Sequence, residues 1–326
     1  MQPKNNMAFR VCLSVLLLLL IISPGCTKKT EEPLRIGTNL WPGYEPLYLA
    51  QKLDYLKPDL VTPVQFRSSS ETISAFRSRT IDAAALTLDE LLSVAQFESN
   101  ISIILVTDIS LGADVLMARP EIRDLGSLRG RRVGVETTAA GAYMLSKALN
   151  RAGLKDSDIN IVNLNADEHE SAFTQKRVDA VITFEPVRSR LLNTGAKILF
   201  DSSNIPGEIV DVIVVRKDYL RSQRGRVETL LKAWFRTLDY MKEHPEDAAE
   251  KLKVRLGISA DEVKAAASGL KFPDRDENSS LLRGEQPRLL NTMSMIEEHM
   301  ISHKLIYKKI ELMHLYDREL LDQIYR

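Results

Sequence analysis

A turn of small residues in the middle of the chain has the composition of an oxyanion-binding loop. Residues 132–145 read RVGVETTAAGAYML, so a strand pattern ends in hydroxyl and small side chains over 137–141 just where a helical pattern begins. Threonine hydroxyls and unpaired N–H groups at a helix N-terminus suit a sulfonate, carboxylate or bicarbonate. The Gly-Lys-Ser/Thr ending of a Walker loop is missing. We expect Glu136, which would repel an anion, to face away.

A second loop, near the start of the chain, combines an amide with two aromatic rings. Residues 37–50 read GTNLWPGYEPLYLA and place Asn39, Trp41 and Tyr44 between a strand pattern and a helical pattern. Connections of this kind are usually short and polar. The rings could therefore line an apolar or planar part of a ligand. Alternatively, either ring could simply pack between helices.

Carboxylates follow two of the strand patterns. Asp108 comes after an apolar run, and Glu185 follows the buried run 179–184. Glu185 could hold an ammonium group or a ring N–H of a ligand. It could equally form a salt bridge with Arg188 or Arg190. His169, which follows an acidic pair, is expected on a helix surface.

The composition excludes several functional classes. Basic and acidic residues number 44 each, which argues against nucleic acid. The only cysteines are Cys12 and Cys26, and we find no nucleophile–base pair, so we predict no enzyme activity and no cofactor. His299 and His303 have a metal-compatible spacing but no third ligand nearby. The calcium-like stretch 274–285 has serine where a glycine is needed, so we interpret it as a loop and predict no metal site.

The N-terminus has the pattern of an export signal. Two basic residues precede the apolar run 11–22, and small residues come before Cys26. We predict a lipoprotein signal peptide over 1–25, a lipidated Cys26 and a polar tether over 26–33. The alternative is an ordinary signal peptide with a spare cysteine nearby. The expected location is periplasmic and membrane-anchored.

Strand and helix patterns alternate along most of the chain, which predicts an α/β protein with parallel sheets. A helical C-terminus follows, with long helices over 284–305 and 315–325. We predict two α/β lobes joined by two hinge crossings, with 34–115 and 210–326 in lobe 1 and 116–209 in lobe 2. Ligands bind beyond the carboxyl ends of parallel strands, so the loops above should line one cleft. The predicted strands are 34–37, 60–66, 83–86, 101–107, 114–118, 132–135, 159–163, 180–183, 197–200 and 210–215.

Three stretches, RIGTNLWPGYEPLYLAQKLDYL, RRVGVETTAAGAYML and VDAVITFEPV, resemble the solute-binding proteins of nitrate/sulfonate/taurine-type ABC importers. The wider superfamily of these solute-binding proteins also includes thiamine-pyrimidine-precursor-binding proteins. The resemblance implies the periplasmic binding protein type II fold, which closes on its ligand about a hinge. It also implies ligand contacts at Asn39, Trp41, Tyr44, Ser70, Thr87, Asp108, Thr137, Thr138, Ala140, Gly141 and Glu185.

The function that we expect from the resemblance is capture of a small organic anion or zwitterion, similar to a sulfonate or taurine, for an ABC permease. The loops are richer in carboxylates than a purely anionic ligand would require, which favours an amine-bearing or zwitterionic compound. We expect a monomer. The alternative is a ligand-sensing lipoprotein that docks on a membrane signalling receptor.

Overall fold

The computed structural model describes residues 32–284 and 287–317, together with residues 320 and 324. The chain from residue 33 onward forms one compact unit. The predicted signal peptide 1–25, Cys26 and most of the tether 26–33 lie outside the described residues. None of the helices in the described part has the length and apolar character needed to cross a membrane.

The described strands form two sheets. The first has the order β11-β4-β10-β3-β1-β2 and the second has the order β7-β6-β8-β5-β9. All ten predicted strands are confirmed to within three residues, and β11 was not predicted. The bounds are β1 Leu34–Thr38, β2 Val61–Gln65, β3 Ala83–Thr87, β4 Ile101–Ser110, β5 Val115–Ala118, β6 Arg132–Val135, β7 Asn160–Asn163, β8 Ala180–Thr183, β9 Lys197–Asp201, β10 Val210–Arg216 and β11 Leu270–Lys271.

The prediction of parallel sheets is only partly correct. Strand β1 is parallel to β2 and β3, and β6 is parallel to β7 and β8. Strand β10, however, is antiparallel to both β3 and β4, and β5 is antiparallel to both β8 and β9. A strand buried on both faces is continuously apolar whichever way it runs, so the hydrophobic pattern could not reveal its direction.

Helices cover both sheets. The predicted helix 284–305 is observed as α12, and the predicted helix 315–325 lies mostly outside the described residues. The stretch 274–285, which we expected to be a loop, contains α11, whose first turn is capped by the side chain of Asp274. The bounds are α1 Glu45–Lys52, α2 Ser69–Arg77, α3 Leu88–Ala95, α4 Ala140–Ala152, α5 His169–Thr174, α6 Val187–Asn193, α7 Lys217–Ser222, α8 Arg224–Glu243, α9 Pro245–Leu256, α10 Ala260–Ser268, α11 Arg275–Leu282 and α12 Arg288–Ser302.

The pairing of strand β4 is irregular at one point, and a helix side chain forms hydrogen bonds with the strand backbone there. Its pairing with β10 shifts register between Asp211 and Val212, next to Val106. The Val106 N–H donates to Asn278 Oδ1 at 2.8 Å, and Asn278 Nδ2 donates to the Val106 carbonyl at 3.0 Å. Asn278 lies on α11 and is fully buried. The side-chain amide of Asn278 therefore replaces the backbone N–H and C=O of a neighbouring strand, and it connects α11 to the sheet.

We predict that Asn278→Ala lowers the free energy of unfolding by about 2–4 kcal/mol, because it leaves both polar groups of Val106 buried without a partner. Chemical denaturation would measure the change. Ser280→Ala, at an exposed position of the same helix, should change stability by less than about 0.5 kcal/mol. Equal effects of the two substitutions would contradict this role of Asn278.

Candidate functional site

The pairing of the first sheet brings several carboxylates to one edge. Asp211, in β10, lies opposite Thr87 on one side and Asp108 on the other. Asp89 follows β3, and Asp114 immediately precedes β5 of the second sheet. We call the acidic cluster the five side chains, each with less than 10% of its surface exposed, of Asp89, Glu90, Asp108, Asp114 and Asp211.

Trp41 and Tyr44, in the loop that we call the aromatic loop (residues 39–44), hold this cluster in place. Trp41 Nε1 donates to both carboxylate oxygens of Asp108 at 3.3 Å, and the Tyr44 hydroxyl donates to Asp211 Oδ1. Both rings are buried, and the Trp41 ring packs edge-on against Phe184, with centroids 5.4 Å apart. A Cβ on Gly43 would lie 1.9 Å from Asp108 Oδ2, so the close contact between the loop backbone and Asp108 requires glycine at this position. The loop therefore serves mainly to anchor buried carboxylates.

Three oxygens of the cluster accept no hydrogen bond from the described residues: Asp89 Oδ1, Asp114 Oδ2 and Asp211 Oδ2. A buried acceptor without a partner costs about 1–3 kcal/mol. Within the described part of the chain, no lysine or arginine forms a salt bridge with these residues. Three acceptors of the cluster thus lack a donor among the described residues.

Burial changes the protonation of these groups. It raises the pKa of Asp114 to about 7, and the nearby charge of Asp89 adds to the shift. Burial, followed by the charge of Asp108, raises the pKa of Asp211 well above its usual range. The pKa values of Asp89, Glu90 and Asp108 are raised as well, in each case chiefly by burial. Part of the cluster therefore holds protons at neutral pH in the ligand-free protein.

The small-residue turn begins α4 as predicted, but a carboxylate of the protein already lies at its N-terminus. The Ala140 N–H donates to Glu90 Oε1 at 3.2 Å. Thr137 donates from its N–H and its hydroxyl to Asn163 Oδ1, at 3.1 and 2.7 Å. The side chains of Thr137 and Thr138 are exposed. An incoming anion would meet these hydroxyls and would compete with Glu90 for the amide.

The expectation that Glu136 faces away is wrong. Its Oε1 accepts the N–H of Ser70 at 2.7 Å, in the first turn of α2, and the Ser70 hydroxyl contacts the hydroxyl of Thr138. The positive end of α2 attracts the carboxylate. Together with the pair formed by Glu90 and Ala140, this contact joins the carboxyl edges of the two sheets directly.

Other residues singled out from the sequence have clear structural partners. Glu185 is buried and accepts hydrogen bonds from Arg188 Nη1 at 2.9 Å and from the N–H and hydroxyl of Ser189 at 3.1 and 3.0 Å. The salt-bridge alternative is therefore the one observed. Asn39, in the aromatic loop, is buried. His169 is not on a helix surface: it is buried, with Nδ1 3.2 Å from the hydroxyl of Thr183.

Sequence reasoning missed four members of the cluster: Asp89, Glu90, Asp114 and Asp211. One signal was present, because Asp211 interrupts the otherwise apolar run VDVIVV of β10. The described residues contain no group of three His, Cys, Asp or Glu side chains that could hold a metal ion. His299 instead pairs with the Ser146 hydroxyl at 2.7 Å.

Known proteins share both the sequence pattern and the fold. The family model described as NMT1/THI5 like matches residues 41–248. The taurine-binding periplasmic protein of Escherichia coli (strain K12) is 22% identical over 245 residues, which cover 72% of this chain and 76% of the relative.

Two solved structures share the fold of this chain. The alkanesulfonate-binding protein SsuA from Xanthomonas axonopodis pv. citri, bound to MOPS, has a TM-score of 0.75 at 16% identity, covering 88% of this chain and 99% of that one. The periplasmic aliphatic sulphonate binding protein SsuA from Escherichia coli has a TM-score of 0.71 at 19% identity, covering 90% and 100%.

The two-sheet architecture is therefore the fold of the periplasmic solute-binding proteins. Because the family model spans more than half of the chain, the chain belongs to the NMT1/THI5-like family.

We predict that the ligand-free protein becomes less stable as the pH rises from about 5 to about 8. The folded pKa of Asp114 is about 7, above an unfolded value of about 3.9. The native state therefore binds more protons in this window, and its stability falls with pH. Asp114→Asn should flatten the slope by up to about 1.4 kcal/mol per pH unit. Denaturation at several pH values would measure it, and an unchanged slope would contradict the protonation of Asp114.

Proposed function

We propose that this protein binds a small solute that carries a protonated amine, most simply a taurine-like zwitterion, and delivers it to an ABC permease. The observation that carries the proposal is the set of three buried, unpartnered oxygens of Asp89, Asp114 and Asp211. An ammonium group has three N–H donors and no acceptor, so it complements this set.

A zwitterion also accounts for the opposite wall of the site. The turn that begins α4 offers the hydroxyls of Thr137 and Thr138 and the amide that now binds Glu90. A sulfonate or carboxylate there would interact with the positive end of α4. The relatives described as binding taurine and alkanesulfonates support this choice of anion. A simple anion without an amine would leave the acidic cluster unsatisfied.

We further propose that binding closes two lobes, 34–115 with 210–326 and 116–209, about the two hinge crossings. The chain passes between the sheets after β4 and again before β10, which supports this division. A ligand that touches Asp211 on one sheet and Thr137 on the other would stabilise the closed arrangement selectively.

The test compares ligands that differ in a single group. We predict that taurine binds and that ethanesulfonate, which lacks the amine, binds at least tenfold more weakly, about 1.4 kcal/mol. Asp211→Asn should reduce this preference, because the amide cannot ionise to offset the positive charge of the bound amine. Calorimetric titration of protein that has been unfolded and refolded to remove carried ligand would measure both.

The matched control is Asp82→Asn. Asp82 lies at the opposite end of β3, where it pairs with Arg35, so this variant should bind taurine with unchanged affinity. If ethanesulfonate binds as tightly as taurine, or if Asp82→Asn has the same effect as Asp211→Asn, the amine site is refuted.

We propose that the chain is anchored to a membrane through a lipid on Cys26, outside the cytoplasm. The relatives are periplasmic binding proteins, and the sequence before Cys26 has the features of a lipoprotein signal. A tethered binding protein remains close to a membrane partner.

We predict that Cys26→Ser, expressed from the full chain, moves the protein from the membrane fraction to the soluble periplasmic fraction. Cys12→Ser is the matched control, because Cys12 lies within the segment that should be removed, and it should leave the protein at the membrane. Membrane retention of the Cys26→Ser variant would exclude the lipid anchor.

A further inference from the structure

Two aromatic rings and three cations form an exposed patch on the first lobe. We call the basic patch the side chains of Arg77, Phe97, Tyr307, Lys308 and Lys309, all of which are exposed. Phe97 and Tyr307 are 69% and 83% exposed. The Arg77 guanidinium lies 5.2 Å from the centroid of the Phe97 ring, and Lys308 Nζ lies 5.6 Å from it. Within the described part of the chain, none of the three cations forms a salt bridge.

Three chain segments meet at the basic patch. Arg77 ends α2, Phe97 follows α3 by two residues, and Tyr307 belongs to the segment after α12. The Tyr307 N–H donates to Gln96 Oε1 at 2.9 Å, which connects the third segment to the second. Gln96 and Ile306, the sequence neighbours of the two rings, are both buried. The rings are therefore exposed on a packed base.

The register of the first sheet places the basic patch near the start of β1. Arg216 pairs with Ile101 at the start of β4, and the Arg216 N–H donates to the Asp82 carbonyl. The Arg35 N–H of β1 donates to the Asp82 carboxylate at 3.0 Å. Strands β4 and β1 therefore begin at the same edge, three strand spacings or about 14 Å apart. Phe97 precedes β4 by four residues, so the patch lies at this edge and the acidic cluster at the opposite one.

The length of the predicted tether limits how far this edge can be from a membrane. Seven residues, 27–33, separate Cys26 from β1. An extended chain spans at most about 3.3–3.6 Å per residue, so a lipid on Cys26 would hold the start of β1 within about 30 Å of the bilayer. A patch at the same edge of the sheet could therefore reach the lipid headgroups.

We propose that the basic patch binds the surface of a bilayer that contains anionic phospholipids. Each basic residue near such a surface strengthens binding about fivefold, and aromatic rings are enriched at the level of the headgroups. The reach of the patch rests on the proposed lipid anchor, whereas its charges and rings act without the anchor. Because the patch is at the edge opposite to the acidic cluster, the bound chain would present its solute site away from the membrane.

The test measures binding of the chain from residue 27 onward, which contains the whole compact unit and lacks the lipidated cysteine. The probes are vesicles of phosphatidylglycerol and phosphatidylcholine in equal parts and vesicles of phosphatidylcholine alone. Sedimentation at low salt should show binding to the first kind only. Lys308→Gln with Lys309→Gln should lower the partition coefficient about tenfold or more. Phe97→Gln should lower it roughly threefold, because it removes an apolar ring from the contact.

The matched control is Lys176→Gln with Arg177→Gln. These two residues are adjacent and exposed, and they precede β8 of the second sheet. The control removes the same charge from the chain and should leave the partition coefficient unchanged. Equal losses in the two double variants would show that only the net charge matters, and they would refute the basic patch. Absence of binding to the anionic vesicles, or equal binding to both kinds of vesicle, would also refute it.

The vesicle experiment and the test of the lipid anchor fail independently. The vesicle experiment uses a chain without Cys26, so its outcome does not depend on lipidation. Binding by three cations is weak and is screened by salt, so dilution during fractionation should release a Cys26→Ser chain even if the basic patch is correct. A soluble Cys26→Ser variant together with absent vesicle binding would therefore retain the lipid anchor and reject the basic patch.

Discussion

The burial of five carboxylates at one sheet edge is the constraint on which the rest of this site depends. Placing β10 between β3 and β4 makes Asp211 a direct neighbour of Thr87 and Asp108. Moving a carboxylate from water into a protein interior costs several kcal/mol unless donors compensate it. The aromatic loop supplies two such donors, from Trp41 and Tyr44, and protonation reduces the remaining charge. A ligand amine would supply further donors, so we expect ligand binding to relieve a stored cost and to release protons.

The need of polar groups for hydrogen-bond partners also explains how the two sheets are connected. Each helix that begins at the shared edge needs acceptors for its first N–H groups. Helix α2 receives Glu136 from the second sheet, and α4 receives Glu90 from the first. These reciprocal pairs hold the edges together without a ligand. Under the proposed function, a ligand anion would replace Glu90 at the start of α4, which would lower the affinity for anions that bring no amine.

Periodicity and turn chemistry were sufficient to predict ten of the described strands, and the order of the loops predicts where a site would form. They could not predict strand direction, because β10 is buried on both faces. Sequence patterns also could not distinguish the acidic residues of the cluster from acidic residues that cap a helix. Asp89 and Glu90 sit in the first turn of α3, where acidic residues are common for local reasons. Only the register of β10 shows that they share a buried space with Asp211. Glu185 is the reverse case, since this carboxylate at a strand end accepts hydrogen bonds from the helix that follows it, which is the salt-bridge alternative stated from the sequence.

The acidic cluster and the helix N-termini together suggest how specificity can differ within one fold. The backbone N–H groups at the start of α4 follow from the fold alone and attract any oxyanion. Glu90 and Asp89, in contrast, are side chains that sequence change can add or remove without altering a strand. A negative charge next to an anion site does not abolish binding. It restricts binding to ligands that bring a compensating positive charge, because repulsion and desolvation penalise the others. The carboxylates of this chain would therefore select among solutes by what they exclude, while the helix end supplies attraction common to all of them.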